Sequence, residues 1–215
     1  MGKDGDEELL NLYDEQGTVV GARPRTEAKR SGRAVGAVNA MVFHRDGRVL
    51  LQRRPAGTEN GARWDKSVGG HVSAGEEFDV TMVREGGEEL FDDPASPRVV
   101  LARSRQHFDH LVASSNLDDG VVLHRIGLQL NMRDVRIAED GSPRVVLYHV
   151  AMYEGRTAAP LAAFRPQASE IENLAYFTVA EVDRMHVEGA LAPNMGFLWL
   201  AYGQRLLDSV GRRGE

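Results

Sequence analysis

Five glutamates and one arginine crowd residues 70–91, which read GHVSAGEEFDVTMVREGGEELF. The acids are Glu76, Glu77, Glu85, Glu88 and Glu89, and Arg84 stands beside Glu85. From residue 76 to residue 90 there is no proline, and Phe78, Val80, Met82, Val83 and Leu90 recur at helical spacing, which predicts a helix. On a helix, positions three and four apart share a face, so Glu85, Glu88 and Glu89 point the same way. Three neighbouring carboxylates repel one another and call for a cation between them. Mg²⁺ or Mn²⁺ suits this set, since a hard divalent ion takes oxygen ligands and bridges carboxylates to substrate phosphates. A solvated acidic helix face is the competing reading of any run of glutamates.

The framework around the acids favours the metal. Gly70, five residues, Glu76, seven residues, Arg84-Glu85, two residues, Glu88-Glu89 resembles the signature of the Nudix hydrolases, with six of its seven fixed letters present. The signature closes on a glycine and an apolar residue where this chain has Phe91 and Asp92. It also places an apolar residue after Arg-Glu where this chain has Gly86, followed by Gly87. Each helical glycine costs about 1 kcal/mol relative to alanine. The pair is read as tolerated drift, with a close backbone approach or a local distortion as the alternative. The resemblance implies that Glu85, Glu88 and Glu89 hold the metal with help from a backbone carbonyl at Gly69 or Gly70. It implies that Arg84 pairs with Glu76 and the neighbouring glutamates. One of the glutamates, or Glu170 on a later loop, would take the proton of the attacking water.

Upstream, LLQRR at 50–54, a polar loop and WDKSVGGHVSAGE at 64–76 look like the Nudix branch related to isopentenyl-diphosphate isomerase, as does DEQGTVVG at 14–21. This closer resemblance covers roughly residues 9–90. Isomerases of that branch carry a catalytic cysteine at the position of Gly69 and a metal-binding histidine before the first core strand. Here that region reads Ser31-Gly32-Arg33-Ala34, and the chain contains no cysteine. Moving protons on carbon needs such groups in place, so hydrolysis of a diphosphate is expected rather than double-bond migration. His71 matches a metal-binding histidine of the isomerases and, with its partner lost, is read as structural or substrate-facing.

Substrate-binding candidates are Arg53, Arg54, Trp64 and His71. The two arginines end a strand, either as edge charges or as phosphate clamps whose guanidinium fork matches phosphate oxygens. Trp64, Phe108, Tyr148 and Tyr153 either stack on a base or belong to the core. His107 and His110 lie close together, without a ligand spacing to other residues, on a segment read as a loop with substrate contacts.

Composition narrows the class. The chain has 215 residues, 42% hydrophobic and 27% charged, as in an ordinary globular protein. A net charge of −6 offers no basic footprint for a nucleic-acid backbone. The absence of cysteine excludes disulfides and thiolate catalysis and fits the cytoplasm. The N-terminus is acidic, without a signal peptide's apolar core, and no apolar run reaches membrane-spanning length.

The elements that must position these residues follow from pattern. Residues 1–8 read as a polar tail, and 9–13 with 18–22 as a hairpin around a glycine-containing loop. Residues 26–33 are a basic helix or connector, either a solvated link or a lip over an anionic site. Residues 34–43 and 48–54 are strands joined by His44-Arg45-Asp46-Gly47. Strands are expected at 98–103, 145–153 and 171–177, and a strand or buried helix at 121–132. Residues 139–142 read as a turn. Thr178 with Glu181 forms a capping box for a helix to 185, and Pro193 or Asn194 starts a final helix over 196–210 before a frayed tail. Residues 1–33 thus read as a tail and hairpin extension, and the resemblance implies a Nudix domain over 34–215. The resemblance implies an α/β/α sandwich around a mixed sheet. A homodimer is expected from the extra surface of the hairpin and of residues 103–145, dimers being the commonest oligomers. The expected function is divalent-metal-dependent cleavage of a diphosphate linkage in a nucleoside diphosphate derivative or related organic diphosphate. The alternatives are a non-catalytic nucleotide- or diphosphate-binding module and an isopentenyl-diphosphate isomerase-type enzyme.

Overall fold

The computed structural model describes residues 7–58, 61–137, 143–203 and 206. The elements in chain order are β1 (Leu9–Tyr13), β2 (Val19–Pro24), α1 (Arg25–Ala28), β3 (Ala34–His44), β4 (Val49–Arg53), β5 (Trp64–Asp65), β6 (Val68–His71) and α2 (Phe78–Phe91). There follow β7 (Val99–Ala102), α3 (Arg105–Ser114), β8 (Val121–Ile137), β9 (Pro143–Thr157), β10 (Asn173–Phe177), α4 (Val179–Val187) and α5 (Pro193–Leu198). The expected α/β class with a mixed, open sheet is what the chain forms: β7 runs parallel to β8, while β3, β4 and β10 pair antiparallel. No described helix is long and apolar enough to cross a membrane.

The chain gathers into two compact units. The first holds residues 1–39, 69–82 and 126–152. Here β1 pairs with β2 and, through Leu12 opposite Val35 and Tyr13 opposite Ala34, with β3. β6 also pairs with β3. Leu10, Leu12, Val35, Val38, Val72 and Met82 are buried within it. Buried His149 ties the turn after β1 to β8: its Nδ1 accepts from the Asn131 N–H at 3.1 Å, which leaves Nε2 to donate to the Asp14 carbonyl at 2.7 Å.

The second unit holds residues 40–68, 83–125 and 153–215. β4 is its central strand, paired with β3 (Val42 opposite Leu50), β10 (Leu174 opposite Gln52) and β5 (Gln52 opposite Asp65). The β3–β4 turn needs positive φ, and Gly47 supplies it at +89°. Met41, Phe43, Leu50, Leu51, Leu90, Phe108, Leu123 and Ile171 are buried in this unit. α4 carries the expected capping box, with Thr178 accepting from the Glu181 N–H and Glu181 accepting from the Thr178 N–H.

Some expectations change. Residues 105–114 form a helix rather than a loop, because Ser104 caps it by accepting from the His107 N–H and Phe108 plugs the core. Residues 121–132 resolve as a strand. α2 begins at residue 78, two residues later than the pattern suggests. The final helix begins at Pro193, one of its two expected starts, and passes into a π-helical turn at Trp199–Gly203. The turn at 139–142, most of the N-terminal tail and the chain beyond residue 206 lie outside the described residues.

Candidate active site

α2 is set between two left-handed residues, Gly75 at φ +83° before it and Asp92 at φ +53° after it. Asp92 thus supplies the turn one residue beyond where the Nudix signature puts its closing glycine. Its N–H bonds the Glu88 carbonyl, and the Asp93 N–H bonds the Gly87 carbonyl. Phe91, freed from that duty, is buried against Phe164 with ring centroids 5.6 Å apart, and Arg98 lies over its ring.

Gly87 is not drift. A Cβ on Gly87 would stand 2.3 Å from the Asp93 carbonyl oxygen, and one on Gly86 would stand 3.2 Å from Val99 Cγ1. The helix is packed so closely against its own exit loop and β7 that only glycine fits at residue 87.

On the second unit's portion of α2, Arg84 Nη1 donates to Glu85 at 3.1 Å and to Glu88 at 2.9 Å. Glu85 is 8% exposed and Glu89 is 4% exposed. Burial pushes the Glu85 carboxyl up to about 7. The Arg84 charge works against that shift, and the negative charges of Glu88 and Glu170 add to it. A carboxyl held near neutrality beside further acids marks a site where negative charge is under-compensated. Glu89 accepts from Gln52 Nε2 at 3.5 Å, which links the helix to the middle of β4.

These are hard oxygen donors, two of them buried, and their chemistry fits a divalent cation. As folded, the Arg84 guanidinium bridges Glu85 and Glu88, and no group of three or more His, Asp or Glu side chains converges as a ligand set among the described residues.

The structure places the remaining candidates as follows. Arg53 pairs with Glu172 at 3.7 Å, and its buried Nε–H has no hydrogen-bond partner among the described residues. Arg54 pairs with Asp65 at 3.3 Å, and Lys66 Nζ lies at the same distance from that carboxylate. Trp64 sits opposite Arg53 in the β4–β5 register and packs edge-on against Phe177, centroids 4.7 Å apart. Glu170 is exposed on a turn, its N–H bonding the Gln167 carbonyl. Gly69, Gly70, His71 and Glu76 belong to the other unit. The two glycines lie in strand β6. His71 faces the ring of Tyr148 at 6.1 Å, and Glu76 accepts from Thr81 Oγ1 at 2.7 Å.

Sequence reasoning missed Gln52, Asp65 and a buried cluster around Glu154. Glu154 is fully buried and pairs with Arg105, with His124 at 3.1 Å and with Arg156 at 3.5 Å, while Arg156 also lies over Phe43 and Phe108. The available signal was a polar residue inside an otherwise apolar strand: Gln52 after Val49, Leu50 and Leu51, and Glu154 after Ala151, Met152 and Tyr153.

Comparison with known proteins matches the NUDIX domain to residues 33–194. The chain is 26% identical over 182 residues to an isopentenyl-diphosphate Delta-isomerase of Streptomyces avermitilis, covering 84% of this chain and 76% of that one. It is 38% identical over 85 residues to an uncharacterised Nudix hydrolase of Streptomyces coelicolor, covering 39% of this chain and 47% of that one, so the match spans about half of that relative. Among solved structures, DR0079 from Deinococcus radiodurans is similar with a TM-score of 0.61 at 20% identity, over 89% of this chain and 96% of that one. At that identity the likeness is one of fold.

Proposed function

This chain belongs to the Nudix family, and on that premise we propose that it is a divalent-metal-dependent hydrolase cleaving a diphosphate linkage in a nucleoside diphosphate derivative or related organic diphosphate. The observation that carries the reading is the buried Glu85, whose carboxyl is pushed up to about 7 among Arg84, Glu88 and Glu170. An acid kept that far from its ordinary range is unfavourable for the fold alone and suits a group that awaits a cation.

In this account Glu85, Glu88 and Glu89 hold Mg²⁺ or Mn²⁺. A bound divalent ion would neutralise the diphosphate and orient or activate a water. The chain's own residues do the rest. Arg84 keeps Glu85 and Glu88 on one guanidinium and so holds the acidic face in register until they are needed. Gln52 holds Glu89 against β4. The unsatisfied Nε–H of Arg53 donates to a phosphate oxygen, since a buried donor without an acceptor is costly until something supplies one. Arg54 is committed to Asp65 and contributes positive potential at the rim. Trp64 offers an aromatic edge beside Arg53. Glu170, exposed and near enough to raise Glu85, serves as the general base for the water. Gly70 and His71 enter the proposal from the motif, as a carbonyl ligand and a substrate-facing side chain. The setting proposed is the cytoplasm.

One of these relatives bears an isomerase name, and the test separates the two chemistries. The purified protein is incubated with nucleotide and prenyl diphosphates, including isopentenyl diphosphate, in Mg²⁺ and then Mn²⁺. The proposal expects metal-dependent release of phosphate or of a nucleoside monophosphate. A shifted double bond without phosphate release overturns it in favour of isomerisation. Binding without any product overturns it in favour of a binding module.

A further inference from the structure

The first strand does more than extend the sheet. β1 lies along residues 72–76, the stretch from which the chain turns into α2. The Asn11 N–H bonds the Val72 carbonyl at 3.4 Å, the Ala74 N–H bonds the Leu9 carbonyl at 2.7 Å, and Leu10 bridges Ser73. Ser73 Oγ donates to Glu8 at 2.9 Å. Within this contact Asn11 uses both ends of its amide. Its Oδ1 accepts from the Gly75 N–H at 3.1 Å, and its Nδ2 donates to the Glu76 carbonyl at 3.1 Å and faces the Tyr13 hydroxyl at 3.4 Å. Asn11 is 3% exposed, in a strand whose neighbours Leu10, Leu12 and Tyr13 are buried apolar residues. A buried amide is costly unless its hydrogen bonds are made, and these bonds go to two consecutive residues of the acidic motif. Gly75 sits at φ +83°, a conformation that must be held by its surroundings. Next to it, Glu76 accepts from Thr81 in the first turn of α2, and Tyr13 packs against Phe78, the first residue of that helix.

We propose that Asn11 is a positioning residue for the reaction. It fixes the Gly75–Glu76 turn, and with it the departure of the helix that carries Arg84 and the glutamates. The inference rests on the hydrolase reading for its kinetic readout. Asn11 touches no substrate in this account. It acts through the backbone of the turn, so its loss changes the rate constant more than the apparent affinity.

The test uses the full chain and two near-isosteric variants. Asn11→Leu removes both hydrogen bonds. Asn11→Asp keeps the acceptor for the Gly75 N–H and removes the donor to the Glu76 carbonyl. Hydrogen exchange at the Gly75 amide and steady-state kinetics are measured below the melting transition of every variant. For Asn11→Leu, the Gly75 amide is expected to exchange at least about tenfold faster and kcat to fall about tenfold, with KM within about twofold. Asn11→Asp is expected to keep Gly75 protection and lose an intermediate part of kcat. Faster Gly75 exchange with kcat unchanged overturns the proposal, as does unchanged exchange in Asn11→Leu. If Asn11→Leu fails to fold, wild-type kcat in Asn11→Asp overturns it. If the wild-type protein turns over no diphosphate, the hydrolase reading has failed by itself. Mn²⁺ affinity by calorimetry then decides for Asn11: weakening of about threefold or more in either variant sustains the positioning role, and an unchanged affinity overturns it.

Discussion

A proton is the first competitor for the acidic face of α2. Burial of Glu85 lifts its carboxyl to about 7, against an unfolded value of 4.5. In the metal-free protein the native state therefore binds more protons than the unfolded chain between those two values. The stability that Glu85 contributes is present below pH 4.5 and is lost as pH rises through 7. For a cation the sign is opposite, since it binds the ionised form. Mn²⁺ affinity is expected to rise with pH up to about 7 and level off above, which calorimetry across pH 5.5–8.5 checks. Glu85→Gln is expected to flatten that dependence, to weaken Mn²⁺ binding by about tenfold or more and to make metal-free stability less sensitive to pH. Most of these acids could be read from residue spacing, because spacing along a helix fixes which side chains share a face. The partners were not legible. Gln52, Asp65 and Glu172 come from other strands and loops, and only folding brings them to Glu89, Arg54 and Arg53.

Local pattern located most elements because each carries its own punctuation. Asp46-Gly47 turns β3 into β4, and Thr178 with Glu181 starts α4. Pattern failed where tertiary packing decided. The glycines at 86 and 87 look like flaws in a helix until the exit loop and β7 are in place. Residues 105–114 have mixed composition and become a helix through the Ser104 cap and the buried Phe108. The glycine pair yields an asymmetric prediction. Alanine gains about 1 kcal/mol of helix propensity at either position. At Gly87 the clash is with a backbone oxygen at 2.3 Å, which cannot move aside cheaply, so Gly87→Ala is expected to destabilise by about 1–3 kcal/mol net. At Gly86 the neighbour is the side chain of Val99 at 3.2 Å, and Gly86→Ala is expected to stay within about 1 kcal/mol of wild type. Urea unfolding of both variants measures the difference.

The whole chain interleaves its sequence. The first unit takes residues 1–39 together with 69–82 and 126–152, so β1 and β2 share a unit with the glycine-rich start of the acidic motif. A sequence pattern reads neighbours along the chain and divides it at residue 33, where the NUDIX match begins. Removing residues 1–24 tests that division. Leu10, Leu12 and Tyr13 are buried, and fully buried apolar side chains contribute about 1.5–3 kcal/mol each, so the truncated chain is expected to lose about 5 kcal/mol. A truncated chain with an unchanged urea midpoint would make residues 1–33 a separable extension. The central claim, that the α2 carboxylates hold a metal for diphosphate hydrolysis, is tested most directly by Mn²⁺-dependent phosphate release in wild type and Glu89→Gln on the best substrate. The account predicts that turnover requires the metal and falls by about a hundredfold or more in Glu89→Gln, with the melting temperature little changed. Equal turnover in the two proteins, or turnover that persists in excess chelator, would contradict it.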